Sequence, residues 1–329
     1  MTKFLVIRFS SIGDIVLASP VFRHLKEQVY EGAEVHFLTK EAFAPVVEAD
    51  PYIDKVYTIR ESTHEVREAI LDENYDYIID LHRNVRSRMI KKKTKALSFT
   101  LEKYNWEKWL WVNFNKNKMP QKHIVDRYLD TILRFDIKND GKGLHYFIPE
   151  KEKLNINGLL PGIQDNGFIA WAISAAHDGK KMSKDKLMEL LPKVDHPIVL
   201  IGGPEDKSIG QELADKIGHV NTLIGKLSLH GSASVIDQAK LVVSPDTGMM
   251  HIAAALNKNV VSYWGCTHPG LGMYPYLPEN KFAIVMPSGG RVRPCSKLGN
   301  RCRYGNNKKC PDLIEDLDIV SKTEYFWKA

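Results

Sequence analysis

An α/β fold of two Rossmann-like domains facing across a cleft is predicted by three observations. Apolar runs of strand length alternate with helical patterns through both halves of the chain. The alternation breaks once, between roughly 150 and 166, where the text gathers Pro149, Gly158, Pro161 and Gly162, with Gly167 just beyond. The chain of 329 residues suffices for two domains of ordinary size. The expected organisation is a first domain at 1–155, a linker at 156–166, a second domain at 167–311 and a terminal helix at 312–329.

The first strand is KFLVIR, whose unbroken apolar centre suits a parallel strand covered on both faces. Ser10, Ser11 and Gly13 make the turn after it, and Asp14 falls in the first turn of the next helix. A carboxylate there favours the helix dipole. The carboxyl end of a parallel strand is equally where catalytic groups sit in α/β folds. Further strands are expected at EVHFLT (34–39), KVYTI (55–59) and YDYIIDL (75–81). In the second half they are FIAWAIS (168–174), PIVLIGG (197–203), NTLIG (221–225), KLVVS (240–244) and VVSYWG (260–265). In the terminal segment Leu313, Ile314, Leu317, Val320 and Phe326 fit one helical face, a helix expected to be able to pack back on the first domain.

Residues 239–265 carry the most chemistry. A buried strand (Leu241 to Ser244) leads through the turn Pro245, Asp246, Thr247, Gly248 into a helix from Met249 to Leu256. Such a helix aims unpaired N–H groups and its positive dipole end at whatever occupies the turn. Gly248 admits close approach, Thr247 adds a hydroxyl, Asp246 is a candidate acceptor from sugar hydroxyls, and His251 lies one turn into the helix. These residues suit a diphosphate-sugar; an N-capped helix of any α/β domain accounts for them as well.

A hydrophobic fraction of 43% and a charged fraction of 26% are those of a soluble globular protein. No apolar run approaches the ~18 residues of a membrane span, and the first residues lack the pattern of a signal peptide. A cytoplasmic protein is expected. The net charge of +6 is unevenly spread. Arg83, Arg86, Arg88, Lys91, Lys92, Lys93 and Lys95 fall in one stretch. Lys103, Lys108, Lys116, Lys118 and Lys122 follow, interleaved with Trp106, Trp109, Trp111 and Phe114. Cations mixed with aromatics suit an anionic interface, or form a solvated face. No nucleic-acid-binding module is recognisable, so no nucleic acid is expected and a phosphorylated lipid at the inner-membrane surface is favoured.

Several constellations are excluded. RFSSIGD is not a dinucleotide fingerprint, and Gly225-Lys226 lacks the rest of a P-loop. The D-x-D of Asp316 and Asp318 falls on the amphipathic terminal helix, where solvent exposure rather than metal binding is expected, and the lack of a better-placed D-x-D argues against metal dependence. Cys295, Cys302 and Cys310 lie in the basic loop PCSKLGNRCRYGNNKKC without a C-x2–4-C pair, so no metal and no cofactor are expected. Cys266 stands apart in sequence.

With these motifs together the chain resembles glycosyltransferase family 9, the heptosyltransferases of lipopolysaccharide core assembly. VIRFSSIGDIVLASPVFRHLK is similar to the family's N-terminal signature, and DLHRNVRSRMI (80–90) to its acceptor-side segment. HIVDRYLDTIL (123–133), GKLSL (225–229) and SPDTGMMHIAAAL follow in the family's order. The resemblance implies a GT-B architecture with an acceptor-binding first domain and a second domain that binds a nucleotide-sugar. It implies an inverting, metal-independent transferase moving a sugar, expected to be heptose from ADP-heptose, onto a lipid A–inner core precursor. Asp14 is then the general base, aided by partial desolvation, with Ser11, Gly13, Asn84 and Arg86 on the acceptor and His82 as a further contributor or a packed strand-end residue. Ser174, Lys180, Glu205, Asp246, Thr247, Gly248 and His251 would bind the donor. Lys181 is the alternative to Lys180, because Met182 and Ser183 replace the family's aromatic–proline pair and blur the register. For Glu205 a first-turn helix carboxylate is the competing explanation. Other classes left open are a nucleotide-sugar 2-epimerase of the same architecture and a non-catalytic sugar-nucleotide binder.

Overall fold

The computed structural model describes residues 1–163, 167–304 and 309–329. It divides into two compact units, Met1–Lys103 with Lys122–Phe147, and Tyr104–Gln121 with Ile148–Ala329. Of the expected linker at 156–166, residues 164–166 lie outside the described residues, and Ile156–Leu159 forms a helical turn.

The first unit is a five-stranded parallel sheet of order β3-β2-β1-β4-β5. The strands are β1 (Thr2–Ile7), β2 (Ala33–Lys40), β3 (Lys55–Ile59), β4 (Tyr77–Asp80) and β5 (Leu97–Thr100). Phe4, Leu5, Val6 and Ile7 are all fully buried, which requires cover on both faces of the central strand. The helices are α1 (Ile12–Val16), α2 (Ser19–Gln28), α3 (Arg67–Asp72) and α4 (Val85–Thr94). The next helix, α5 (Asn105–Phe114), belongs to the second unit, and the chain then returns to the first with α6 (Ile124–Leu129). The order reverses between β1 and β4. At such a switch point the loops diverge and leave a crevice beyond the strands' carboxyl ends.

The second unit is a six-stranded parallel sheet of order β11-β10-β9-β6-β7-β8. In chain order it comprises α7 (Ile156–Leu159), β6 (Ile169–Ala172), α8 (Lys184–Leu190), β7 (Ile198–Ile201), α9 (Lys207–Lys216) and β8 (Val220–Thr222). There follow α10 (Leu229–Gln238), β9 (Leu241–Pro245), α11 (Gly248–Ala255), β10 (Asn259–Tyr263), β11 (Phe282–Val285) and α12 (Asp316–Lys328). Here the switch point falls between β6 and β9.

Three expectations are corrected. The strands β5 and β11 were not anticipated; both are four-residue edge strands with little fully buried surface. The terminal helix packs within the second unit, where Ile319, Thr323 and Phe326 are buried and α12 lies against β9, β10 and β11. The expected apolar face is also shifted, since Leu317 is 75% exposed and Leu313 and Ile314 precede the helix. No described helix is long and apolar enough to cross a membrane.

Candidate functional site

In the first unit the switch point brings the turn after β1 beside the turn after β4. Arg8, at the end of β1, is buried and extends across the gap. Its Nη1 donates to the Leu81 carbonyl at 2.6 Å and its Nε to the Ser10 carbonyl at 2.8 Å. Its Nη2 pairs with the Asp14 carboxylate at 2.7 Å. The second Asp14 oxygen accepts from the Ser11 N–H at 3.1 Å and the Ser11 hydroxyl at 2.9 Å. The Tyr128 hydroxyl lies 3.5 Å from the carboxylate. Asp14 is therefore both a helix cap and a charge placed at the crevice, with 18% of its side chain exposed.

Burial pushes the Asp14 carboxyl up, but Arg8 and the Ser11 donors outweigh it and hold the group below the usual carboxylate value. The expectation that desolvation would strengthen this base is thus corrected: Asp14 is a fixed anion, positioned rather than made more basic. His82 moves the other way. Burial first, then the charges of Arg8 and Lys103, push it down to about 4, so the imidazole is neutral near pH 7. Its Nδ1 is buried with no hydrogen-bond partner among the described residues.

The acceptor-side residues divide. Gly13 is buried inside α1, and Ser11 is engaged with Asp14. Asn84 caps α4, accepting from the Ser87 N–H at 2.9 Å. Arg86 is exposed. The carboxylate of fully buried Asp80 accepts from the His82 and Arg83 N–H groups, from the Ser87 hydroxyl and from Lys91. Lys91 is thereby committed to the fold rather than free at the surface.

In the second unit the switch point joins the loops after β6 and β9. Asp246 is buried and ion-paired to Lys180 at 2.7 Å, and the Thr267 hydroxyl donates to it at 2.9 Å. Lys180 also donates to the Asp246 carbonyl at 3.0 Å. Asp246 is thus a pin between two loops, not the open acceptor for sugar hydroxyls that was expected. Thr247 is the N-cap residue of α11, 3.3 Å from the Ser244 hydroxyl, and Gly248 begins the helix. His251 is buried within it.

A cavity of about 690 Å³ opens over the loop after β6, lined among others by His177, Asp178, Lys181, Glu205, Asn300 and Arg301. Lys181 faces it; Lys180 is not among its lining residues. Lys181 is set by Asp206, a buried carboxylate 3.0 Å away that also accepts from the Ser174 hydroxyl at 2.7 Å. Ser174 in turn accepts from the Gly203 N–H at 3.0 Å. Glycine at 203 leaves room for the Glu205 carboxylate, which a Cβ would strike. Sequence reasoning selected Glu205 and passed over Asp206, because nothing local distinguishes two adjacent carboxylates in GGPED. Arg8 and Tyr128 were missed for the same reason: their role is a contact, not a motif.

Glu34, His36 and Glu73 bring three possible metal-ligand atoms within 4.8 Å of one another. Lys3 and Lys55, each 2.7 Å from Glu73, already neutralise that group, and their hydrogen bonds hold the Glu73 carboxyl well below its usual range.

The glycosyltransferase family 9 (heptosyltransferase) model matches residues 63–291. Lipopolysaccharide heptosyltransferase 1 of Escherichia coli K12 is 25% identical over 297 residues, covering 82% of this chain and 89% of that protein. Among solved structures, a glycosyl transferase family 9 protein from Veillonella parvula superposes with a TM-score of 0.77 at 18% identity, covering 99% and 97% of the two chains. E. coli ADP-heptose LPS heptosyltransferase II gives a TM-score of 0.74 at 18% identity, covering 99% of each.

Proposed function

The chain belongs to glycosyltransferase family 9, the heptosyltransferases, and from that premise we propose that it moves heptose from ADP-heptose to a lipopolysaccharide inner-core acceptor. One structural relative is named for ADP-heptose, and the curated relative for lipopolysaccharide. The observation that carries the reading is the second unit's cavity, with Lys181, Arg301 and Lys309 on its wall. A cavity of this volume is of the size that small-molecule sites have, and its cations suit a diphosphate. In the same unit the Thr247–Gly248 helix start offers fixed N–H donors for charge that develops on the leaving diphosphate.

In the first unit Asp14 is the base in this reading. An acceptor hydroxyl loses its proton to the carboxylate as its oxygen attacks the anomeric carbon and the diphosphate departs. Attack from the face opposite the leaving group inverts the configuration. Neutral His82 is a candidate to orient the attacking hydroxyl. The test is incubation with ADP-heptose and a heptose-free inner-core acceptor, reading ADP release and product mass. One added heptose per acceptor is expected. Release of free sugar from a UDP-sugar instead would identify an epimerase, and binding without turnover a non-catalytic protein.

Donor contacts follow from the same reading. Lys181→Ala and Thr247→Val should each weaken ADP binding by about 1–3 kcal/mol, the scale of a charge-assisted hydrogen bond. Lys180→Ala should act through loss of the Asp246 pin. Titration calorimetry with ADP checks this; unchanged affinity in Lys181→Ala and Thr247→Val together would remove the diphosphate from this wall.

We further propose peripheral association with the anionic inner surface of the cytoplasmic membrane. The basic–aromatic tract supports it in altered form, for the two units share it. On α5, Trp106 and Trp109 stack at 4.9 Å and are 63% and 40% exposed, with exposed Phe114 beside them. Trp111 is instead buried against Met119 and Leu271, so it anchors the helix rather than meeting lipid. Trp106→Ala/Trp109→Ala should reduce flotation with anionic vesicles, in a salt-dependent way if neighbouring lysines contribute about 1 kcal/mol each. Equal flotation of variant and wild type would make the face merely solvated.

A further inference from the structure

The fold collects all four cysteines of the sequence in one place. Cys266, Cys295 and Cys310 are buried together, Cys302 packs against them, and all are free thiols. The Cys295 sulfur lies 3.9 Å from the Cys266 carbonyl and 3.7 Å from the Arg301 carbonyl. The Cys295 N–H donates to the Cys266 carbonyl at 3.1 Å, joining the loop to the end of β10. Arg291 Nη1 lies 3.8 Å from the Cys310 sulfur.

A single buried cysteine is a small hydrophobe and calls for no explanation. This cluster differs in its setting. Between β11 and Cys310 the described residues contain no helix or strand, and the larger apolar side chains are sparse, with Leu298 58% exposed. Irregular stretches longer than about 12–15 residues are uncommon in compact domains unless functional. What this one buries is chiefly its thiols and tight turns. Its charge is also unusual: Arg291, Arg293, Lys297, Arg301, Arg303 and Lys309 fall in the same stretch of sequence, Arg291 reaches the Cys310 sulfur, and Arg293 has Nε and Nη1 buried with no hydrogen-bond partner among the described residues. Four thiolates around a divalent ion carry a net charge of −2, which such a basic stretch would offset. The missing C-x2–4-C pair is no obstacle when one ligand, Cys266, comes from the loop after β10, 29 residues before Cys295.

We propose that Cys266, Cys295, Cys302 and Cys310 form a tetrathiolate site for one thiophilic metal ion, zinc or iron, that ties the described stretch 294–302 to Cys266 and Cys310 beside the cavity. Soft thiolate sets of this composition select those metals, and structural sites of this kind supply folding energy outright. The position gives the site a consequence. A Cβ at Gly179 would strike the Gly299 carbonyl and come within 2.8 Å of the Cys266 sulfur, so loop and Lys180-bearing turn meet backbone to backbone. Cys266, Gly299, Arg301, Cys302 and Lys309 then form one wall of the cavity. The metal would hold that wall and take no part in sugar chemistry.

The test is elemental analysis of the full chain, expressed untagged and purified without chelator. About one zinc or one iron per chain is expected, with iron distinguished by its visible thiolate charge-transfer colour. Metal-stripped protein should take up one Co²⁺ and show thiolate-to-cobalt charge-transfer absorption. Cys295→Ser and Cys310→Ser should lose the metal; because either variant may fail to fold, Cys302→Ser, changing the half-buried ligand, provides the second arm and should lose the cobalt charge transfer or bind at least about tenfold more weakly. Sub-stoichiometric metal together with no cobalt uptake would overturn the proposal, as would a disulfide among the four in unreduced protein. The readout uses no sugar substrate, so its failure is separable from failure of the transferase reading.

Discussion

Asp14→Asn should lower the transfer rate by about 10²–10⁴-fold, the range a positioned general base contributes, while ADP affinity stays within a few-fold. Asparagine preserves the volume of the cap but neither takes a proton nor neutralises Arg8. Because Arg8 is buried, losing its carboxylate partner should also cost stability, on the order of 3 kcal/mol for a broken buried pair. The two effects separate in Arg8→Lys, which keeps a cation near Asp14 and should recover stability and part of the rate. Equal losses of rate and stability in both variants would make Asp14 purely structural. The pH dependence follows from its lowered carboxyl. A depressed folded value means that the pair's stabilisation is complete above the unfolded carboxylate value of about 4 and is lost as pH falls through the folded value. With His82 neutral down to about 4, kcat should show no acid limb between about pH 8 and pH 5. A limb centred near pH 6.5, where an ordinary histidine titrates, would contradict this arrangement.

Asp206→Ala is expected to be the most damaging change to the second unit, by about 3 kcal/mol in urea denaturation. The carboxylate is buried and accepts from Ser174 and Lys181, whose side chain is 17% exposed. Truncation leaves the lysine's charge in a low-dielectric recess with the exposed Asp178, at 3.6 Å, and the charge of Glu205 to answer it. Donor affinity should fall as well, because Lys181 faces the cavity from the position Asp206 sets. Ser174→Ala should cost only about 1 kcal/mol, since one neutral hydrogen-bonding group is lost. An unchanged urea midpoint in Asp206→Ala would show that Lys181 finds water instead and that the pair is not a support.

The plainest strands to read were those whose burial is continuous. FLVI and LVVS announce two-sided cover through composition alone, and both proved central in their sheets. The edge strands LSFT and FAIV escaped notice because a half-covered strand of four residues leaves too short a pattern. The turns after β1, β6 and β9 fall where the strand pattern puts them. The partners do not follow from that pattern. Asp246 looked like an open acceptor until Lys180 and Thr267 were found on it, and Lys91 looked like a surface cation until Asp80 was found beneath it.

By itself the sequence determined the two parallel sheets, the turns at their carboxyl ends and the family resemblance, because strand and helix periods and turn chemistry are local properties of the chain. Only the tertiary structure decided which carboxylates are neutralised, that Lys181 rather than Lys180 faces the cavity, that Trp111 is core while Trp106 and Trp109 are surface, and that Cys266 joins three distant cysteines. Each of these is set by contacts between residues far apart in the chain, and burial and charge pairing arise only when the loops of different strands meet.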